Sequence, residues 1–434
     1  MNSWFERQFK LSEHGTDVRK EIMAGITTFV TMAYIIFVNP GILSETGMPF
    51  GSVLVATCLG ASLATFLMAF LANYPFALAP GMGLNAFFAF TVVLGMGIPW
   101  QVALAAVFVE GVIFIVLTCT KVREEVVNSI PKTLKIGVSA GIGLFITFIG
   151  LQGSGIIVDN PAVLLGLGKL SGNVPALLSI LGLLLMVTLE ARRVKGGILI
   201  GVVVVTVLAI PLGVAKMPEG IVSMPPSLSP IFMKMDFSML AQPAFWSVTL
   251  AFFFVDFFDT VGTLVGVSSR ANMLDEKGRL PKASQALMSD AIGTTAGAVL
   301  GTSTVTTFVE SASGVEQGGR TGLTALTVAV LFLLAMFFNP IISIVPACAT
   351  APALIMVGGY MMMGFKEMEF TDWTEFFPAL ISFFMMPFAY SIAAGIEFGV
   401  LSYVALKVLM GRGKEVNWLL YGLAVLFVLN RAFM

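Results

Sequence analysis

Tyr74-Pro75-Phe76-Ala77-Leu78-Ala79-Pro80-Gly81-Met82-Gly83-Leu84-Asn85 is an apolar stretch that cannot form one continuous helix. Its two prolines each remove an amide and clash with the preceding turn, and its glycines lower helix propensity further. A second stretch, Gly301-Thr302-Ser303-Thr304-Val305-Thr306-Thr307-Phe308-Val309-Glu310, is rich in β-branched residues that favour extended backbone. Each is read as a short strand that turns into a half-helix, starting near Leu84 in the first case and near Val309 in the second.

The chain around them is membrane-like. Of 434 residues 57% are hydrophobic and 11% charged, where soluble domains carry about 25% charged residues. Apolar runs near the length needed to cross a bilayer as a helix recur throughout. They fall at 22–42, 52–72, 76–94, 100–119, 134–151, 174–189 and 198–212, and, after a proline-rich loop, at 244–267, 286–300, 302–317, 322–338, 341–363, 376–390 and 392–410. The predicted fold is an all-α polytopic membrane protein of about fourteen transmembrane segments, with the two broken stretches as spans three and ten. Residues 418–429 are apolar enough for a fifteenth span or an interfacial helix.

Basic residues orient the chain. Lys121, Arg123 and Lys132, then Arg192, Arg193 and Lys195, then Arg270, Lys277, Arg279 and Lys282, and finally Arg412 and Lys414 all follow even-numbered spans. Short cytoplasmic loops hold such residues, so the N-terminus is expected to be cytoplasmic in a multi-pass protein of the cell membrane. Residues 1–21 carry charges and no apolar core, which excludes a cleaved signal peptide and suggests an amphipathic lead-in. The net charge of -1 and the scatter of the basic residues speak against a nucleic-acid partner. Cys58, Cys119 and Cys348 sit at unrelated spacings in apolar segments and are read as buried small hydrophobes, so neither disulfide nor metal site is expected.

The halves echo each other. Ile130-Pro131 opens span five as Val345-Pro346 opens span twelve, and Gly197-Ile-Leu-Ile-Gly-Val202 recurs as Gly395-Ile-Glu-Phe-Gly-Val400. Seven spans per half is an odd number, so the repeats are inverted, as in many transporters. Paired interruptions at corresponding places in the two halves point to a binding site. Carboxylates gather there. Asp256 and Asp259 lie three residues apart on span eight, on a helix face shared with Thr260 and Thr263, and Glu310 follows the break of span ten. A carboxylate at membrane depth costs roughly 2.5 to 3.5 kcal/mol on insertion scales and is retained mainly where it meets a partner, cavity or substrate.

The motifs Gly25-Ile-Thr-Thr-Phe-Val-Thr-Met-Ala-Tyr34, Ala79-Pro-Gly-Met-Gly-Leu-Asn85, Phe257-Phe-Asp259-Thr-Val-Gly-Thr263 and Glu310-Ser-Ala-Ser-Gly314 carry a resemblance that runs nearly end to end. The chain resembles the AzgA-like purine permeases, a branch of the nucleobase–cation symporters. The resemblance implies a core domain (22–119 and 244–342) moving against a gate domain (133–214 and 346–410), with a C-terminal segment at 411–434. It implies import of adenine, guanine or hypoxanthine with protons, no cofactor and no enzymatic activity. Uracil-type relatives carry a histidine one turn after the span-eight carboxylate. Here Thr263 stands at that place and the chain's one histidine is His14.

Candidate substrate contacts are then Glu310, Asp259, Asn85, Phe76, Phe308 and Ser311. Candidate proton carriers are Asp259, Glu310 and Asp256, with Thr260, Thr263, Asp290 and Glu110 in support. A planar purine needs apolar or aromatic walls, which Phe76 and Phe308 offer beside the breaks, and a few fixed polar groups. Carboxylates accept its N–H donors, and amides at the half-helix starts serve its ring acceptors. Two carboxylates in a poorly solvated cavity cannot both ionise easily, so one of them carries the transported proton. Each residue also has a structural alternative: Glu310 and Asn85 as helix caps, and Asp256, Asp290 and Glu110 as hydrogen-bonded ties within the core. The glycine-rich gate spans offer a sliding surface or homodimer contact. A rival reading is an anion transporter of the sulfate or bicarbonate type with the same architecture, which carboxylates at the site would serve poorly.

Overall fold

The computed structural model describes residues 2–120, 131–271, 273, 280–368 and 370–433. Lys121, Arg123, Lys277 and Arg279, used above to orient the chain, and Ile130 of the repeated motif lie outside them.

The chain opens with α1 (Asn2–Phe9), whose Phe9 is fully buried with its ring 5.6 Å from that of Phe70. Asp17 caps α2 (Val18–Met32) by accepting the Lys20 amide at 3.0 Å, a role suited to a short side chain at a helix start. The first span does not run on as one helix. It ends at Met32 and resumes as α3 (Ile35–Ser44), with Tyr34 in the break. Next come α4 (Phe50–Leu67), extended by a π-helical turn over Met68–Ala72, then strand β1 (Leu78–Pro80) and the short helix α5 (Met82–Ala86), which continues as π-helix over Phe87–Gly95. Helices α6 (Trp100–Cys119) and α7 (Lys132–Gly153) follow. An exposed hairpin of β2 (Ile157–Asn160) and β3 (Leu164–Leu167) was not foreseen. After it stand α8 (Val174–Ala191) and α9 (Gly197–Ala209).

The second half runs through α10 (Pro243–Arg270), α11 (Ala283–Leu300), strand β4 (Val305–Thr307) and the six-residue α12 (Ser311–Glu316). Helices α13 (Gly322–Ala335), α14 (Asn339–Ile342), α15 (Ala347–Met362), α16 (Trp373–Phe388) and α17 (Ile392–Leu409) follow. The apolar stretch near the end is α18 (Trp418–Phe433), which packs on α17. It buries Leu420, Ala424 and Phe427, the last with its ring 5.9 Å from Phe254. Cys119, expected inside, is exposed at the end of α6.

Among the described residues, eight helices are long and apolar enough to cross a membrane. The other expected spans fall on broken, short or polar elements. Two contain the strands β1 and β4, α9 and α16 have 13 and 16 residues, α11 contains the buried Asp290, and α10 contributes the short apolar stretch Pro243–Phe257.

Packing sorts the helices into two groups. In one, α11 lies against α4 and α6, α13 against α2 and α4, α10 against α6, and α12 against α2. In the other, α7 lies against α15 and α16, α16 against α17, and α8 against α9 and α15. Contacts between the groups are thinner and include α5 and α10 on α7. In the second group Lys407, buried at the end of α17, lies 2.8 Å from both Glu375 and Glu415, and Arg412 lies 2.6 Å from Asp372. These ion pairs tie the start of α16 to the turn that precedes α18.

Candidate transport site

The two broken stretches meet. β1 pairs antiparallel with β4 in the register Leu78↔Thr307, Ala79↔Thr306 and Pro80↔Val305. The pairing extends through Phe308 N–H to Ala77 O (2.9 Å) and Gly81 N–H to Thr304 O (3.0 Å). Two equivalent strands crossing antiparallel is what an inverted repeat produces at its centre. Gly81 is required by this crossing, because a Cβ there would lie 2.9 Å from Thr306 Oγ1.

Side chains alternate between the two faces of such a ribbon, and directly opposed residues share a face. Ala77, Ala79, Thr306 and Phe308 therefore point one way, and Phe76, Leu78, Val305 and Thr307 the other. The first face carries the polar chemistry. Thr306 donates to Asp259 Oδ2 at 3.3 Å, and Asp259 lies in electrostatic range of Glu310 and Asp290. The Phe308 ring is tilted against that of Tyr34 with centroids 6.5 Å apart, and the Tyr34 hydroxyl donates to Glu310 Oε1 at 2.5 Å. Phe76 belongs to the second face. It is fully buried, stacked on Tyr74 at 5.2 Å, within an apolar cluster that includes Met68, Leu78, Leu264 and Val305. The parity of the strand thus sets Phe76 on the side away from Asp259, and the ring beside Phe308 is that of Tyr34.

The half-helices start at Met82 and Ser311, two residues earlier and two later than expected. Glu310 precedes α12 without capping it through its side chain. The amides of Ser311, Ala312 and Ser313 donate to the carbonyls of Phe308, Val309 and Glu310 at 3.1, 3.0 and 3.0 Å, so they are committed to a tight turn. This corrects the expectation that amides at this half-helix start face a ligand. Asn85 lies inside α5, where its Oδ1 accepts the Ser303 hydroxyl and its Nδ2 reaches Pro80 O at 3.4 Å. Ser311 Oγ accepts the Ala77 amide at 3.0 Å. Each of these two residues thus ties its own broken segment to the other.

Backbone at membrane depth needs partners for every N–H and C=O, and flanking hydroxyls supply them. Thr65 of α4 bonds both the amide (2.9 Å) and the carbonyl (3.0 Å) of Leu78, while Thr294 of α11 donates to Val305 O at 3.0 Å. Thr304 donates to Glu110 Oε2 at 2.9 Å. Asp256 and Asp259 share a helix side and meet different hydroxyls. Thr260 bridges Asp256 Oδ1 (3.0 Å) and Asp290 Oδ1 (3.1 Å) in fully buried surroundings, whereas Asp259 turns to the strands. Thr263 is buried one turn beyond Asp259.

One face of the first span holds the half-helix α12 and the start of α13. Glu21 is fully buried and accepts from the amides of Arg320 (2.8 Å), Thr321 (3.2 Å) and Thr324 (3.2 Å) and from the Thr324 hydroxyl (2.6 Å). A Cβ on Gly314 would meet Thr28 Oγ1 at 2.1 Å, and Thr31 and Ser313 share a hydroxyl–hydroxyl bond of 2.9 Å. Tyr34 with Glu310 completes the row. The spacing 21, 28, 31, 34 follows one helix face. Replacing Glu21 with Ala leaves buried donors without an acceptor and is expected to destabilise the protein by about 3 kcal/mol, to be read as a lower unfolding midpoint of the detergent-solubilised protein.

The model of the Permease family (Xan_ur_permease) matches residues 19–398. The chain belongs to this permease family. Among its relatives is the adenine permease AdeP of Escherichia coli, 44% identical over 99% of this chain and 96% of the relative. Another is the guanine/hypoxanthine permease PbuG of Bacillus subtilis, 46% identical over 98% and 99%. The permease is accordingly a multi-pass membrane protein and not an enzyme. Its fold is shared with the transmembrane domain of the cyanobacterial bicarbonate transporter BicA, at a TM-score of 0.67 and 16% identity over 87% of this chain and 97% of that one.

Proposed function

We propose that the chain is a secondary active transporter that imports purine nucleobases (adenine, guanine or hypoxanthine) together with protons. The observation that carries the reading is the pair Asp259 and Glu310 on the polar face of the strand crossing, beside the rings of Phe308 and Tyr34. Carboxylate oxygens accept purine N–H groups, and the aromatic rings give the planar base an apolar wall. The names of the relatives supply the substrate class. The likeness to BicA is one of fold, and function resides in the site; carboxylates facing the ligand repel an anion, which disfavours bicarbonate or sulfate.

The first packing group, 22–119 with 244–342, is the core that holds the substrate, and the second, 133–214 with 346–410, is the gate. All fourteen segments are taken to traverse the membrane, spans three and ten as strand plus half-helix, with a cytoplasmic N-terminus and a homodimer contact on the gate. One of the clustered carboxylates binds the proton that travels with the base. In proteoliposomes or permease-deficient cells, purine uptake should rise as external pH falls, collapse with a protonophore and ignore replacement of sodium. Sodium-dependent uptake that withstands the protonophore would overturn proton coupling.

A further inference from the structure

The Glu310 carboxylate is held by a phenol from the other half of the chain. Tyr34 stands in the break of the first span, its side chain almost wholly buried, and its hydroxyl donates to Glu310 Oε1 at 2.5 Å. A charge-assisted O–H···O bond of that length is of the strong kind. The tyrosine is placed from both sides. The Thr31–Ser313 bond fixes the last turn of α2 against α12, and the Tyr34 ring leans on Phe308. Titratable neighbours in electrostatic range are Asp259 of α10 and Tyr360 of α15, and Lys195 reaches the Ser313 carbonyl at 3.4 Å.

We propose that Tyr34 is the positioning residue of the substrate carboxylate: it fixes Glu310 by occupying one lone pair of Oε1, so that the remaining acceptor sites face the bound base in one orientation. The inference rests on the purine reading above and deepens it. A free glutamate side chain samples several rotamers, and only those presenting an oxygen to the base bind it. The tyrosine removes that search before the base arrives, which is the general route by which preorganisation strengthens binding. The break at Ala33–Tyr34 has a use in this scheme, since it brings the phenol to the carboxylate while α3 departs from a new start.

The test is equilibrium binding of adenine and a panel of N-methylated adenines to purified wild type and Tyr34→Phe, alongside uptake kinetics. The variant keeps the ring and its contact with Phe308 and loses only the hydroxyl. Its adenine affinity should fall about tenfold or more, the range for a hydrogen bond to a charged group, with KM raised and maximal rate retained. The analogue whose methyl blocks the N–H that Glu310 accepts should bind wild type weakly and lose nothing further in the variant. Thr27→Val, which removes a hydroxyl of the same helix that bonds the Met23 carbonyl of its own turn, should keep the wild-type affinities across the panel. Unchanged adenine affinity in Tyr34→Phe, or a loss shared equally by every analogue, overturns the role. Wild type that binds no purine removes the transport reading itself, and this inference with it.

Discussion

Replacing Glu310 with Gln is expected to weaken purine binding about a hundredfold or more while the protein still inserts and folds. The Tyr34 hydroxyl will draw the new amide oxygen towards itself, because a phenol can donate to it at the place now held by Oε1. The amide nitrogen then faces the base, so a donor meets the substrate N–H where an acceptor stood. Loss of a hydrogen bond to a charged group together with an opposed donor amounts to about 3 kcal/mol. Titration of the purified variant with adenine reads the effect, and its elution profile and melting temperature report on folding. Affinity equal to wild type would remove Glu310 from the site.

The second large effect concerns motion. Joining core to gate should abolish transport and leave binding intact, if alternating access is a rigid displacement of one bundle past the other around an undisturbed site. Gly83 of α5 and Ile142 of α7 offer the pair. A Cβ placed on Gly83 lies 4.0 Å from Ile142 Cβ, within the separation a disulfide spans. Cys58, Cys119 and Cys348 would first be removed. Oxidised protein should bind adenine but show no uptake, and reduction should restore uptake. Normal uptake by the cross-linked protein would mean that the core does not move against the gate.

Much of the architecture was legible because its strongest signals are negative ones. Pro75 and Pro80 in one half and the threonine run 302–307 in the other cannot be helix, and a membrane tolerates such backbone only where partners exist. Those partners were less visible. Thr65 and Thr294 look like unremarkable threonines in apolar helices until the strands they serve are in place. The side on which Phe76 lies was hidden, because a strand's parity decides which way a residue faces and parity depends on a register that local sequence does not fix. Tyr34 was quoted as part of a motif, yet a tyrosine in an apolar run reads as packing until its bond to a residue 276 positions away is seen. Its signal was present in the spacing of Glu21, Thr28, Thr31 and Tyr34 along one helical face. Asp256 and Asp259, three residues apart on one helix face, meet different hydroxyls. Thr260 joins Asp256 to Asp290 while Thr306 of the strand crossing reaches Asp259, and such contacts between distant segments are not written in the local spacing.

The central claim is that Asp259 and Glu310 with their aromatic neighbours form a purine site that imports nucleobases. Uptake of labelled adenine into cells lacking their own nucleobase permeases, with unlabelled adenine, guanine, hypoxanthine, uracil and bicarbonate as competitors, tests it most directly. The prediction is saturable uptake displaced by at least one of the three purines, and unaffected by uracil or bicarbonate. Uptake that uracil displaces as well as the purines do, or expressed protein that moves bicarbonate and no purine, would contradict it.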